Sequence, residues 1–112
     1  MNVLTRMEEL ILLSVWKLQQ DAYGLEIRKY LSDLLGEKLS VGAVYTPLRR
    51  LKKRGYLRSW DSEPTEERGG RSKRFYKLSS KGVQALQQVK TVQDQAWSNL
   101  PEIGLSWNPA KG

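Results

Sequence analysis

The sequence predicts a mainly α-helical domain with one small β-hairpin. Two observations predict it. Four stretches repeat apolar residues at helical spacing, near 5–20, 23–35, 41–54 and 80–99. Between the third and fourth, two short segments flank a polar stretch containing glycine and proline, as a hairpin with a long tip does. The 112 residues suit one domain. A chain this short buries only part of its surface and gains from oligomerising.

The first helix is placed at about 5–20. Thr5-Arg6-Met7-Glu8 has the form of a capping box. Met7, Leu10, Ile11, Ser14, Val15 and Leu18 follow at helical spacing, while Leu13 and Trp16 add a second apolar face. A helix apolar over that much of its girth needs two partners, here the domain core and a second subunit. Asp21–Gly24 breaks the pattern. The second helix, about 23–35, carries Leu25, Ile27, Tyr30, Leu31, Leu34 and Leu35, and Gly36 stands where a helix-ending glycine belongs. Glu37–Leu39 reads as a short link, with a strand there left open.

Ser40 caps the third helix, about 41–54. Val44, Leu48 and Leu51 share one face, Arg49, Arg50, Lys52, Lys53 and Arg54 line the others, and Gly55 ends it. Pro47 is costly inside a helix, about 3 kcal/mol unless the helix bends. The sequence therefore predicts a kinked or irregular first turn, with Thr46-Pro47 as an alternative start. Tyr56–Ser62 and Arg71–Leu78 are the hairpin strands, with Tyr56 and Tyr76 directed to the core. Ser79 caps the fourth helix, where Ala85, Val89, Val92 and Ala96 form a stripe beside a ridge of Leu86, Gln93, Trp97 and Leu100. Pro101 stops it, and 101–112 reads as a flexible tail.

The formal net charge is +7, and its distribution is uneven. Residues 49–77 hold eleven Lys or Arg against four Asp or Glu, whereas residues 1–48 hold five against six. The excess is thus a local footprint on the third helix and the hairpin, of the kind that meets nucleic acid. There is no Cys and no His. That excludes disulfides, thiol nucleophiles, His general bases and Cys/His zinc sites. Asp61, Glu63, Glu66 and Glu67 read as solvated loop charges rather than a metal or acid/base site. Nothing assembles a nucleophile, a base and an oxyanion site, so an enzyme is not expected, and neither is a cofactor. The longest apolar run is Leu10–Leu13, far below the roughly 20 residues of a membrane span. A cytoplasmic protein without a membrane partner is the expectation.

Two helices, a basic helix and a basic hairpin follow the order of a winged helix-turn-helix domain. Residues 1–79 are assigned to that domain and 80–100 to a C-terminal dimerisation helix. The second helix of a helix-turn-helix lies in the major groove with its N-terminal residues nearest the bases. Ser40, Gly42, Ala43, Tyr45, Thr46, Arg49 and Arg50 are therefore the expected DNA contacts, the small residues allowing close backbone approach. Arg71, Lys73 and Arg74 would place the wing on the backbone or in the minor groove. Arginine suits both tasks, because it bridges guanine or clamps phosphate with two bonds. Tyr45 carries an alternative reading as a half-buried core residue.

The stretch Ser40-Val41-Gly42-Ala43-Val44-Tyr45-Thr46-Pro47-Leu48-Arg49-Arg50-Leu51, with Lys52–Leu57 after it, resembles the recognition-helix signature of the PadR family. Gly69–Ser79 with Lys81-Gly82 resembles its wing signature, and Leu4–Leu10 and Asp21–Gly24 match its first helix and the following link. Phe75 and Ser79 stand where Tyr and Thr are commoner in the family. The resemblance spans residues 4–100 and points to the family's short branch, with a single C-terminal helix. It implies a dimeric, sequence-specific transcriptional regulator, often a repressor, whose first and last helices form the dimer interface. Leu4, Ile11, Val15, Leu86, Val89, Gln93, Ala96 and Trp97 are the residues expected there. It also implies a planar small-molecule ligand in some members, for which Trp16 and Trp97 are the candidate pocket, although interface packing is the favoured reading of both. The competing function is a winged-helix protein–protein adaptor that binds no DNA.

Overall fold

The first helix begins at the residues that cap it. A computed structural model describes residues 4–63 and 72–101, and in it α1 spans Arg6–Leu18. Thr5 Oγ1 accepts from the Glu8 N–H at 3.1 Å, and Glu8 Oε1 accepts from the Thr5 N–H at 2.8 Å. Two backbone donors that the helix leaves unpaired are thereby satisfied. The α-helix stops at Leu18, and a short 3-10 turn at Gln19–Asp21 carries the chain onward.

α2 (Gly24–Leu35) and α3 (Val41–Lys53) end in the same way. Gly36 has φ 69° and Gly55 has φ 86°, a region that favours glycine. The N–H groups of Gly36 and Glu37 donate to Asp33 and Ser32 carbonyls, and those of Gly55 and Tyr56 to Lys52 and Leu51. These are paired Schellman closures. At the other end of α3, Ser40 Oγ accepts from the Ala43 N–H at 3.1 Å.

Two expectations about this region are corrected. α3 runs unbroken from Val41 through Pro47 instead of restarting there. The bond that Pro47 cannot make is to the carbonyl of Ala43, an exposed residue of the first turn. Nor does Glu37–Leu39 form a strand. Leu39 is buried, and side chains of α2 satisfy its backbone: its N–H donates to Ser32 Oγ (3.1 Å) and its carbonyl accepts from Arg28 Nε (2.8 Å).

The hairpin pairs β1 (Leu57–Asp61) with β2 (Arg74–Leu78) antiparallel, Leu57 opposite Leu78 and Asp61 opposite Arg74. β2 has a partner on its other edge too. The Tyr76 N–H donates to the Ala22 carbonyl at 2.8 Å, and Tyr23 bridges Phe75. The segment before α2 therefore anchors the wing. The intervening hairpin tip, including Arg71, lies outside the described residues, as does the tail beyond 101.

The core gathers Ile11, Leu12 and Val15 of α1, Ile27 and Leu31 of α2, and Val44, Leu48 and Leu51 of α3. Tyr56, Leu57 and Tyr76 of the wing close it, as expected for both tyrosines. α4 (Ser80–Trp97) starts at Ser79, whose hydroxyl accepts from the Gly82 N–H and donates to the Gly55 carbonyl. Gly82 lies so close to the Tyr56 carbonyl that a Cβ there would collide with it. Neighbouring buried carboxylates of α1 then fasten two other helices. Glu8 pairs with Arg54 at 2.9 Å, just beyond α3. Glu9 accepts from Gln93 Nε2 on α4 at 2.9 and 3.0 Å.

Candidate nucleic-acid interface

Burial divides α3 sharply. Val44, Pro47, Leu48 and Leu51 are buried, while Val41, Gly42, Ala43, Thr46, Arg49 and Arg50 are exposed. The outer face therefore begins with small residues and continues into two arginines. Gly42 has nothing within 4 Å of where a Cβ would stand, so no packing within the chain requires glycine there. Thr46 Oγ1 accepts from Arg49 Nη2 at 3.4 Å, one turn of helix away. Ser40 is exposed, but its hydroxyl caps the helix. Tyr45 is half-buried, with its ring lying over Gly24 at the start of α2. That contact satisfies the packing reading of Tyr45.

Two of the wing cations, Lys73 and Arg74, are engaged within the protein. Lys73 is half-buried; its ammonium lies 4.2 Å from the centre of the Tyr23 ring, a cation–π contact. Arg74 forks onto Asp61, Nε to Oδ1 at 3.0 Å and Nη2 to Oδ2 at 3.4 Å. The reading of Asp61 as a solvated loop charge is thus corrected: it ends β1 and holds Arg74 across the sheet. The Arg74 hydrogen bond keeps the Asp61 carboxyl below its ordinary value; desolvation opposes it, and the charges of Arg74 and Lys52 reinforce it. Burial raises the Tyr76 phenol, and Arg74, Tyr45, Arg49 and Asp61 all act on it. Groups of the wing and of α3 therefore lie within electrostatic reach of one another, α3 packing against β1.

On the opposite hairpin face, Phe75 stacks on Trp60 (5.9 Å between centroids) and meets Tyr23 edge-on at 5.4 Å. This aromatic row ties the wing to the base of α2. No local signal in the sequence identified Tyr23 or Trp60 as neighbours of Phe75.

The expected dimer residues separate into two groups. Leu4, Ile11, Val15 and Leu86 are buried in this chain's own core, which corrects their assignment to an interface: they have almost no surface left to give a partner. Val89 is partly buried against the core, and Gln93 is bonded to Glu9. Ala96 and Trp97 are exposed, Trp97 to 72%. Leu13 and Trp16 of α1, Val92 of α4 and Leu100 just beyond α4 are also exposed apolar residues.

Trp16 and Trp97 do not form a clamp within one chain. Glu9 meets Gln93, while Trp16 shares a recess with Val83 at the start of α4, so α1 and α4 run antiparallel. Trp97 lies one turn past Gln93, at the far end from Trp16. Trp16 instead lines, together with Trp60, a recess of about 420 Å³ that Val15, Tyr76, Leu78 and Val83 also line. Among the described residues no cluster of acidic side chains could hold a metal, and no helix is long and apolar enough to cross a membrane.

The model of the PadR-like transcriptional regulator family matches residues 12–88. A comparison with curated proteins found no match. Among solved structures, a PadR-like transcription factor from Bacteroides fragilis is 27% identical, with a TM-score of 0.66 over 80% of this chain and 81% of that one. A PadR family transcriptional regulator from Eggerthella lenta is 25% identical, with a TM-score of 0.62 over 78% and 73%. RosR of H. salinarum, at 23% identity and a TM-score of 0.65 over 88% and 81%, shares the fold. The four helices, the hairpin wing and the family match together make this chain a member of the PadR-like family of transcriptional regulators, a DNA-binding regulator and not an enzyme.

Proposed function

We propose that the protein is a sequence-specific, homodimeric repressor that acts in the cytoplasm by occupying duplex DNA. The outer face of α3 enters the major groove, and the wing lies on the backbone or in the minor groove. One observation carries the reading: the exposed face of the second helix of the helix-turn-helix opens on Val41, Gly42 and Ala43 and leads into Thr46, Arg49 and Arg50. Small residues at the N-terminal turn let the backbone approach base edges, and the arginines behind them reach bases or phosphates. The cationic excess confined to residues 49–77 supports a salt-dependent phosphate contribution.

Dimerisation is supported by what α1, α4 and the residue just beyond α4 leave in water. Leu13, Trp16, Val92, Trp97 and Leu100 are each at least 40% exposed, apolar side chains that a second copy would cover. A second copy covering it would fix the separation of two recognition helices and hence of two half-sites. A planar ligand, if one regulates the protein, has the recess between Trp16 and Trp60 rather than a Trp16–Trp97 pair within one chain.

The test is fluorescence anisotropy with labelled duplex from upstream of the protein's own gene, against a scrambled duplex, at two salt concentrations. Tight binding that prefers the native fragment and weakens with salt supports the regulator. A folded protein that binds neither duplex refutes it and favours the adaptor.

A further inference from the structure

We infer that Asp61 is a positioning residue for DNA recognition: its carboxylate fixes the Arg74 guanidinium on the wing, so this acidic group on a basic face strengthens DNA binding. The inference rests on the proposed DNA reading and deepens it.

The geometry is specific. Asp61 and Arg74 stand directly opposite in the β1–β2 register and form a two-point fork at 3.0 and 3.4 Å. Both side chains are about half exposed, 52% and 49%. An isolated pair in such surroundings contributes little to folding, so stability is a poor account of it. The fork takes Nε and one hydrogen of Nη2. Arginine carries five N–H donors, so three lie outside the fork for an incoming acceptor. A guanidinium held by one edge presents the rest in a fixed plane, and less freedom is lost when a phosphate arrives.

Position gives the pair its role. Residues 59, 61, 74 and 76 share the hairpin face from which buried Tyr76 reaches the core, and α3 packs against β1. Lys52 of α3 acts on Asp61, and Arg49 and Tyr45 of α3 act on Tyr76. Arg74 thus lies on the hairpin face that carries Tyr76 to the core, beside the strand that packs against α3, and in the proposed complex a backbone phosphate is placed there.

The sign of one substitution decides the matter. A carboxylate that is only a bystander repels DNA, so its removal tightens binding. A positioning carboxylate does the reverse. Binding of the preferred duplex is measured across a salt series for Asp61→Asn, Arg74→Ala and the double variant, with thermal melts confirming that each is folded. The expected result for Asp61→Asn is binding weakened by roughly threefold to tenfold, the range of one screened charge-assisted contact. Its salt slope falls by about 0.9, as for one lost phosphate contact. Arg74→Ala behaves alike, the double variant is no weaker than Arg74→Ala alone, and Asp61→Glu recovers part of the loss. Asp61→Asn that binds as tightly as the parent or tighter, or effects that simply add in the double variant, overturns the inference and leaves the DNA reading standing. A parent protein that binds no duplex overturns both.

Discussion

Gly42→Ala should stabilise the protein and impair its function, and the structure sets the size of both effects. Gly42 is the second residue of α3, is exposed, and has no atom within 4 Å of where a Cβ would stand. Among the described glycines only Gly36 and Gly55 have positive φ, so alanine fits this backbone without strain. Glycine costs a helix interior about 1 kcal/mol relative to alanine, and somewhat less in the first turn. A gain of about 0.5–1 kcal/mol corresponds to roughly 2–6 °C in Tm for a domain of this size. The same methyl would stand on the α3 face proposed to approach the bases. Overpacking a closely fitted contact by one methyl costs about 1–3 kcal/mol, a loss of at least about fivefold in affinity. Calorimetric melting and anisotropy on one preparation read both numbers. Unchanged affinity with a raised Tm would refute the close approach of this turn, and a lowered Tm would refute the account of Gly42 as unneeded by the fold.

Gly82→Ala should act in the opposite sense on stability, because its Cβ meets the Tyr56 carbonyl; a loss of about 1–3 kcal/mol is expected in a urea melt. Arg49→Ala should weaken the preferred duplex more than others, whereas Arg71→Ala should weaken all duplexes and flatten the salt slope, and the reverse pattern would mean that helix and wing have exchanged roles. Val92→Asp combined with Trp97→Asp should halve the mass found by sedimentation while leaving helicity intact; a variant that stays dimeric places the interface elsewhere. An alkaline absorbance titration should show a late component from Tyr76, since burial raises it. Its folded value lies above the unfolded one, so its contribution is complete below about pH 10 and is lost as pH rises through the folded value. The late component should vanish in Tyr76→Phe.

Much of the fold was legible because its signals are local. Thr5 with Glu8, Ser40 and Ser79 act within three residues of themselves, and Gly36 and Gly55 end helices through their own backbone angles. What periodicity could not settle was the use of each apolar face. α1 is apolar around most of its girth, and the sequence does not say which side meets its own core. Ile11 and Val15 went inward, while Leu13 and Trp16 stayed out. Pro47 misled for a physical reason: propensity charges proline for a missing bond, but the carbonyl concerned belongs to an exposed residue of the first turn. The Ala22–Tyr76 bond and the Asp61–Arg74 fork were illegible because they depend on pairing across a long hairpin and on an edge contact between distant segments. Alternation gives the faces of a strand but not its partner's register.

The arrangement around the start of α1 explains how so small a domain can keep two functional helices in fixed relation. Glu8 and Glu9 are adjacent, both buried, and face different ways. Glu8 caps its own helix through one oxygen and holds Arg54, just past the end of α3, through the other. Glu9 holds Gln93 near the end of α4. Buried carboxylates demand such partners, because an unpaired charge there would be strongly destabilising. The pairs are thus directional constraints as well as contacts, and apolar packing alone, which permits sliding, would not supply them. The first turn of α1 thus ties α3 to α4, and in the proposed dimer it links the helix proposed to enter DNA to the helix proposed to meet the second copy.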